Sequence, residues 1–331
     1  MKLTKIILIA SLILNFKLTF AQSNLPKWNG YIQTRYASDF DEISEFSIRR
    51  AKLWIYGDIP KLDFISYKIQ MIYRSFKDES IMMQDAYADI RLKGYGKIRV
   101  GRFVPDFMLQ RMQPDYEIPV LERANVINGF THNEKQMARQ MGINYIFGND
   151  TLPLHFSFGI FNANVDKPMH AKDNYLLYTS RFSYKFLNKK DIWWNIGSSV
   201  SYRKLNNSTL TTIYEPDSLI SGNDLRFGLE TQFHIKNFEF QTEYVEAQIN
   251  NDKANGWYVL TNYLFNEKYQ LTTFAEKYND LNPSTNNNWW FGAGFNYYFT
   301  KNTKIMTDFK AQKSETSYNY LGEIQLQIYF N

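Results

Sequence analysis

Close to its C-terminus the chain alternates residue by residue: Ile324, Leu326, Ile328 and Phe330 share one face of an extended segment, and Glu323, Gln325, Gln327 and Tyr329 share the other. A period of two marks a strand whose two faces meet different surroundings. The pattern recurs along the chain. Leu225, Phe227, Leu229, Thr231, Phe233 and Ile235 oppose Arg226, Glu230, Gln232 and His234. Ile192, Trp194, Ile196, Val200 and Tyr202 oppose Asn195, Ser199, Ser201 and Arg203. Sixteen such segments are read, at 28–37, 46–57, 63–76, 81–92, 97–104, 139–147, 153–162, 175–186, 192–203, 222–235, 238–248, 255–265, 268–278, 288–299, 303–313 and 317–330. In 46–57 the apolar parity flips between Ile48 and Ala51, which indicates a bulge or a later start, and 255–265 and 268–278 are only loosely two-sided.

The connections follow a rhythm of their own. Those at 105–138, 163–174, 204–221 and 279–287 follow odd-numbered segments and are long. Short ones, such as Lys93-Gly94-Tyr95-Gly96 and Lys236-Asn237, follow even-numbered segments. An even strand count with short turns at one end and longer loops at the other is the pattern of a bacterial outer-membrane barrel. Pro26, Pro60, Pro105, Pro114, Pro119, Pro168, Pro216 and Pro283 fall between segments and Pro153 at a segment start, as expected of a residue that cannot donate to a ladder.

In hydrocarbon every backbone polar group needs an internal partner, so a spanning sheet must close. The apolar faces would then meet lipid and the charged faces water. Residues 1–21 read as a removable secretory leader, with Lys2 and Lys5 before the apolar run from Ile6 to Phe16 and a small residue, Ala21, at the cut. Residues 22–331 form the barrel domain, in the bacterial outer membrane. Without Lys2, Lys5 and Lys17 the chain keeps 35 Lys and Arg against 33 Asp and Glu, too small a surplus to imply a nucleic-acid partner. Aromatic residues make up 17% of the chain, and many stand near segment ends: Trp28, Tyr31, Trp193, Trp194, Trp257, Tyr258, Trp289, Trp290, Tyr297, Tyr298, Phe299, Tyr329 and Phe330. These suit the two interfacial girdles of a barrel. About sixteen strands leave an aqueous channel, whereas roughly eight would be filled by side chains. The fold class is therefore all-β, a transmembrane antiparallel barrel of about sixteen strands.

Several short motifs carry a family resemblance: Gly30-Tyr31-Ile32-Gln33, Phe46-Ser47-Ile48-Arg49-Arg50-Ala51-Lys52-Leu53, Asp85-Ala86-Tyr87-Ala88-Asp89, Val100-Gly101-Arg102-Phe103-Val104-Pro105 and Leu121-Glu122-Arg123-Ala124, with Gly142 after them. In these, and in their order, the chain resembles the phosphate-selective porin O/P family in its Bacteroidetes-type branch. The resemblance covers most of residues 22–331. It implies a homotrimer, a third outer loop folded into the lumen, here 105–138, and basic residues that guide anions.

Parity points Arg50, Lys52, Lys68, Arg74, Arg91, Lys97 and Arg99 into the lumen, and Arg111 and Arg123 lie in the long loop. Rings of Arg or Lys favour anions because a fixed cation replaces lost hydration. These nine are the candidate pore-lining and selectivity residues. The plainer reading is that they pair with Asp85, Asp89, Asp106, Asp115, Glu117 and Glu122. The later wall is mixed, Arg181, Lys185, Arg203 and Arg226 facing Glu230, Glu239, Glu243 and Glu276. Arg102 points outward by parity but sits near a segment end.

Four histidines, His132, His155, His170 and His234, are scattered without metal-ligand spacing, and there is no cysteine. Gly292-Ala293-Gly294 lacks the third glycine and the helix of a dinucleotide site. No metal, cofactor or catalytic residue is expected. The function expected is passive diffusion of small hydrophilic solutes, with anions such as phosphate favoured. The alternatives are a barrel enzyme such as a lipid hydrolase, which needs a nucleophile beside a histidine at the lipid boundary, and a structural or adhesive barrel whose loops bind partners.

Overall fold

A computed structural model describes residues 25–331 apart from 76–78, 134–136, 149–151, 164–174, 283–287 and 314–316. The leader read at 1–21 and His170 lie outside the described residues. The strands are β1 (Lys27–Ser38), β2 (Ser44–Ile59), β3 (Leu62–Tyr73), β4 (Ile81–Leu92), β5 (Gly96–Phe103), β6 (Gln140–Phe147), β7 (Leu154–Asn162) and β8 (Leu176–Lys189). They continue with β9 (Ile192–Thr209), β10 (Leu219–Ile235), β11 (Phe238–Ile249), β12 (Asp252–Phe265), β13 (Tyr269–Asn279), β14 (Asn288–Thr300), β15 (Thr303–Lys313) and β16 (Tyr318–Phe330). Each pairs antiparallel with its chain neighbours, and β1 pairs with β16 from Gly30 opposite Phe330 to Ser38 opposite Gly322. Closure leaves no open sheet edge, the condition for a sheet in hydrocarbon.

The alternation follows from this setting. On β10, Leu225, Phe227 and Leu229 are 42–48% exposed, while Arg226 and Glu230 between them are 1% and 4% exposed. A water-soluble protein rarely carries apolar patches beyond a few hundred Å², and here such faces run around the cylinder. Connections after even-numbered strands hold two to six residues, and the longest of the others is the β5–β6 connection. The long loop read at 204–221 is shorter than expected, because β9 runs on to Thr209 and β10 begins at Leu219. In these extensions the polarity no longer follows the two-sided rule, because Leu205 and Ile220 pack against buried apolar side chains. β3 stops at Tyr73 rather than residue 76.

Three inner features depart from a simple two-sided wall. First, the β1–β2 register steps from Gln33 opposite Arg50 to Thr34 opposite Ile48, so Arg49 is an extra residue. This bulge accounts for the parity flip, and bulges re-aim side chains in this way. A second bulge at Gln84 turns both Gln84 and Asp85 inward, buried. Secondly, Tyr31 and Tyr258 are not girdle residues. They are 2% and 1% exposed and point inward, the first toward Asp115 (3.2 Å), the second toward Glu243 (2.7 Å). Thirdly, Val245, Ala247 and Ile249 on β11 and Ala254 and Leu260 on β12 are apolar yet inward and buried, and Leu260 in this way blurs the two-sidedness of β12. They pack against Phe107, Met108, Ile118, Val120, Val126, Ile127 and Phe130 of the β5–β6 connection. That connection also holds two short helices, α1 (Leu109–Met112) and α2 (Asn125–Gly129).

Candidate functional site

The β5–β6 connection is tied to the far wall through its own backbone. Glu243 on β11 accepts the N–H groups of Leu109 and Gln110, both at 2.7 Å. Glu276 on β13 accepts from Val126 N–H (3.3 Å) and Asn125 Nδ2 (2.7 Å). Asp308 on β15 accepts Leu121 N–H at 2.9 Å. Asn296 Nδ2 donates to the Pro119 carbonyl (2.7 Å), and Arg226 Nη1 donates to that of Phe130 (2.6 Å). Irregular backbone at membrane depth is tolerated when its polar groups find such partners.

Two acids of the connection meet the opposite wall. Asp115 pairs with Lys52 and Arg123 and lies 3.7 Å from Arg50 Nε. Glu122 pairs with Arg35 (2.8 Å), Arg50 (2.7 Å) and Arg49. Burial pushes both carboxyls up, but Arg123, Lys52 and Arg50 hold Asp115, and Arg50, Arg49 and Arg35 hold Glu122, well below the usual carboxylate range. A carboxyl with a depressed folded pKa contributes stability that is present above its unfolded pKa, near 4, and lost only as pH falls through the folded value. Asp115 and Glu122 are therefore expected to stay ionised from pH 8 to pH 5. Infrared difference spectra over that range should show no protonated-carboxyl band that is lost in the Asp115→Asn, Glu122→Gln double variant, and such a band would remove these acids from the latch between connection and wall.

Three cavities lie in series, each sharing lining residues with the next. The middle one, 290 Å³, is bounded by β2–β4 and the inner connection. Among the described residues it is lined by Arg49, Arg50, Lys52, Arg74, Arg111, Arg123 and Arg139 against Asp115 and Glu122. The cavity toward the short turns, 720 Å³, carries nine cations and four carboxylates, among them Lys68, Arg91, Lys97 and Arg99. Toward the long loops a 420 Å³ vestibule has four cations and five carboxylates, with Leu260, Phe274 and Trp290 in its lining.

All nine candidate residues thus line the two cation-rich cavities. Many are also paired, as the plainer reading held. Lys68 reaches Asp85 at 3.4 Å, Lys97 and Arg99 meet Asp89 at 2.8 and 2.7 Å, and Arg91 meets Asp58 at 2.9 Å. Arg99 also stacks on Tyr87, 3.8 Å from its ring centre. Arg74 Nη2 approaches Met82 Sδ at 3.9 Å. Among the described residues Arg111 forms no ion pair; Nη2 donates to the Met137 carbonyl and Nε is buried without a partner. Burial, then the adjacent Arg123 and Arg139, destabilises its charge, and a passing anion would offset that cost. Pairing leaves a surplus because each acid serves several cations: Arg139 too lies on Asp85, at 3.0 Å.

Arg35, Arg49 and Arg139, which meet Glu122 or Asp85, were not among the candidates. Arg35 shares the inward parity of Gln33, a signal present in the sequence. Arg49 is hidden by the bulge, and Arg139 stands just before β6. Asp106 does not serve the basic stretch; it faces His155 (2.8 Å) and Arg181 (3.5 Å). Its carboxyl is raised by burial but drawn down by Arg181 and His155 to about 2. His234 stacks on Trp193 with ring centres 5.3 Å apart, and His132 is buried against Ser201.

A closed cylinder, greasy outside and enclosing charged cavities in series, defines the class: this is a porin channel of the bacterial outer membrane. The chain belongs to the family of phosphate-selective porin O and P, which matches residues 27–325. Solved structures share the fold. Salmonella typhi OmpF, in complex with daunomycin, is 15% identical with a TM-score of 0.71, over 93% of this chain and 98% of that one. The anion-selective porin from Comamonas acidovorans is 8% identical with a TM-score of 0.67, over 93% and 100%. OmpT of Vibrio cholerae in its trimer form is 12% identical with a TM-score of 0.62, over 93% and 100%. At these identities the likeness is one of fold. A search of curated proteins found no matching sequence.

Proposed function

We propose that the channel passes small hydrophilic solutes by diffusion, without a catalytic step, and favours anions, phosphate among them. The observation that carries this is the narrow middle cavity, where seven cations face two carboxylates. A fixed cationic wall of low dielectric concentrates counter-ions and replaces part of their hydration. Arginine adds geometry, since its planar fork matches two oxygens of a phosphate or carboxylate at once. Arg50, Lys52, Arg74, Arg111 and Arg123 form the selective step, and Lys68, Arg91, Lys97 and Arg99 line the exit. The anion selectivity of the Comamonas acidovorans porin and the trimer form of the Vibrio cholerae protein support the reading by analogy, and we take this chain to assemble as a homotrimer in outer-membrane lipid.

The test is the reversal potential of purified protein in a planar bilayer across a potassium chloride gradient, repeated with potassium phosphate. The expected sign is that of an anion-preferring pore in both salts. A cation-preferring sign would overturn the assignment even if stepwise conductance were present.

A further inference from the structure

We infer that the short-turn end of the barrel carries a ring of lysines that binds the headgroup phosphates of anionic phospholipids in the periplasmic leaflet. The first observation is where lysine stands. Seven connections follow even-numbered strands, and six of them hold one: Lys61, Lys93, Lys190, Lys236, Lys268 and Lys301. The β6–β7 connection has none. All six are exposed. Among the described residues none of them forms an ion pair, whereas Arg91 at the same rim meets Asp58 at 2.9 Å. The opposite end has the opposite sign. The β1–β2 connection holds Asp39, Asp41 and Glu42, and the β9–β10 connection Glu215 and Asp217, neither with a lysine or arginine. The lysines are therefore a feature of one rim and not of the whole surface.

The second observation is backbone conformation. Lys61 and Lys236 have φ of 66° and 52°. That left-handed region crowds a Cβ, and glycine or asparagine adopts it at lower cost. A lysine held there against the preference of the turn is held for its side chain.

The occupant follows from depth and spread. Ile235, Tyr269 and Phe299 lie within two residues of Lys236, Lys268 and Lys301 and share the outward parity of Leu229, Leu271 and Phe295. They are 37%, 41% and 51% exposed, so apolar surface runs down to the turns. Aromatic rings at that edge sit at headgroup level, and a lysine stem beyond them sets its ammonium among the phosphates. The six turns hold two or three residues each, too few to carry the charge far below the membrane surface. They are also distributed around the cylinder, as a shell of lipids is. A polymer lying beneath the membrane would meet one side. A net negative headgroup is favoured over a zwitterionic one, whose own amine competes for the phosphate.

The test uses the protein in phosphatidylcholine vesicles with either spin-labelled phosphatidylglycerol or spin-labelled phosphatidylcholine. The motionally restricted fraction gives the relative affinity of the wall for the two. Phosphatidylglycerol is expected to be preferred about threefold at low salt. The preference should fall toward one at about 1 M salt, where charges are screened within about 3 Å. It should fall likewise when all six lysines are replaced by glutamine, and persist when they are replaced by arginine. None of the six lines the three cavities, so the glutamine variant should keep the parent's reversal potential. A ratio of one in the parent, or a preference unchanged in the glutamine variant, would overturn the ring. Capture of the detergent-solubilised parent on purified peptidoglycan, lost in the glutamine variant and paired with a lipid ratio of one, would also overturn it and assign the lysines to the cell wall.

Discussion

Replacing Arg74 and Arg111 together by glutamate is expected to lower the chloride-to-potassium permeability ratio by about thirtyfold. The change cuts the cation surplus of the middle cavity from five to one. Four units of charge moved ~8 Å from a passing ion amount to ~2 kcal/mol at a water-like dielectric, of which salt screening leaves roughly half. The anion loses that amount and the cation gains it, so the two effects multiply in the ratio. A glutamate at position 111 sits beside Arg123 and Arg139, so it gains ionic partners and assembly should survive. Reversal potentials measured beside the parent protein decide the matter. An unchanged ratio in a folded, conducting double variant would place selectivity elsewhere on the route.

The second large effect is expected from Glu243→Gln combined with Glu276→Gln. Each Glu243 oxygen receives one backbone N–H of the inner connection, and one also receives the Tyr258 hydroxyl. A glutamine amide turns an N–H donor toward a donor, and each amide left unsatisfied costs about 1–3 kcal/mol. Glu276 repeats the arrangement at α2. The double variant should show larger mean conductance, excess current noise and a lower unfolding temperature. Glu239→Gln is the control, since Glu239 lies on the same strand but receives Gln232 and Asn262, not the connection. Quiet, parent-like channels from the double variant would show that the apolar contacts hold the connection without these carboxylates.

The strands were legible because lipid on one side and water on the other impose opposite demands on adjacent residues. Where those demands lapse, legibility goes with them. At Lys204, Leu205 and Asn206 the sense of the alternation reverses, because Leu205 is buried in the inner apolar cluster while its two neighbours are exposed. At Val245, Ala247 and Ile249 the inside is itself apolar, because Val126, Ile127 and Phe130 fill it. Arg49 was hidden because one inserted residue reverses parity, although the flip between Ile48 and Ala51 was visible in the sequence. Parity and loop length were enough to aim the wall cations inward and to expect acids such as Asp85, Asp89, Asp115 and Glu122 as their partners, but which cation meets which acid was not legible, since Asp115 and Glu122 reach Lys52 and Arg50 across more than sixty residues of chain. The roles of Glu243, Glu276 and Asp308 left no trace in residue type, because their partners are peptide N–H groups, which every residue except proline possesses.

The segment 115–122 also touches both ends of the polypeptide. Arg35 on β1 donates to the Leu121 carbonyl (3.1 Å) and pairs with Glu122; Asp308 on β15 receives Leu121; and Gln327 on β16 donates to the Tyr116 carbonyl (3.1 Å). The seam where the last strand finds the first is thus riveted from within by residues about a third of the way along the chain. The element proposed to narrow the passage is thus also the clasp of the cylinder, so substitutions of Arg35 or Gln327 are expected to loosen the seam as well as to alter conductance.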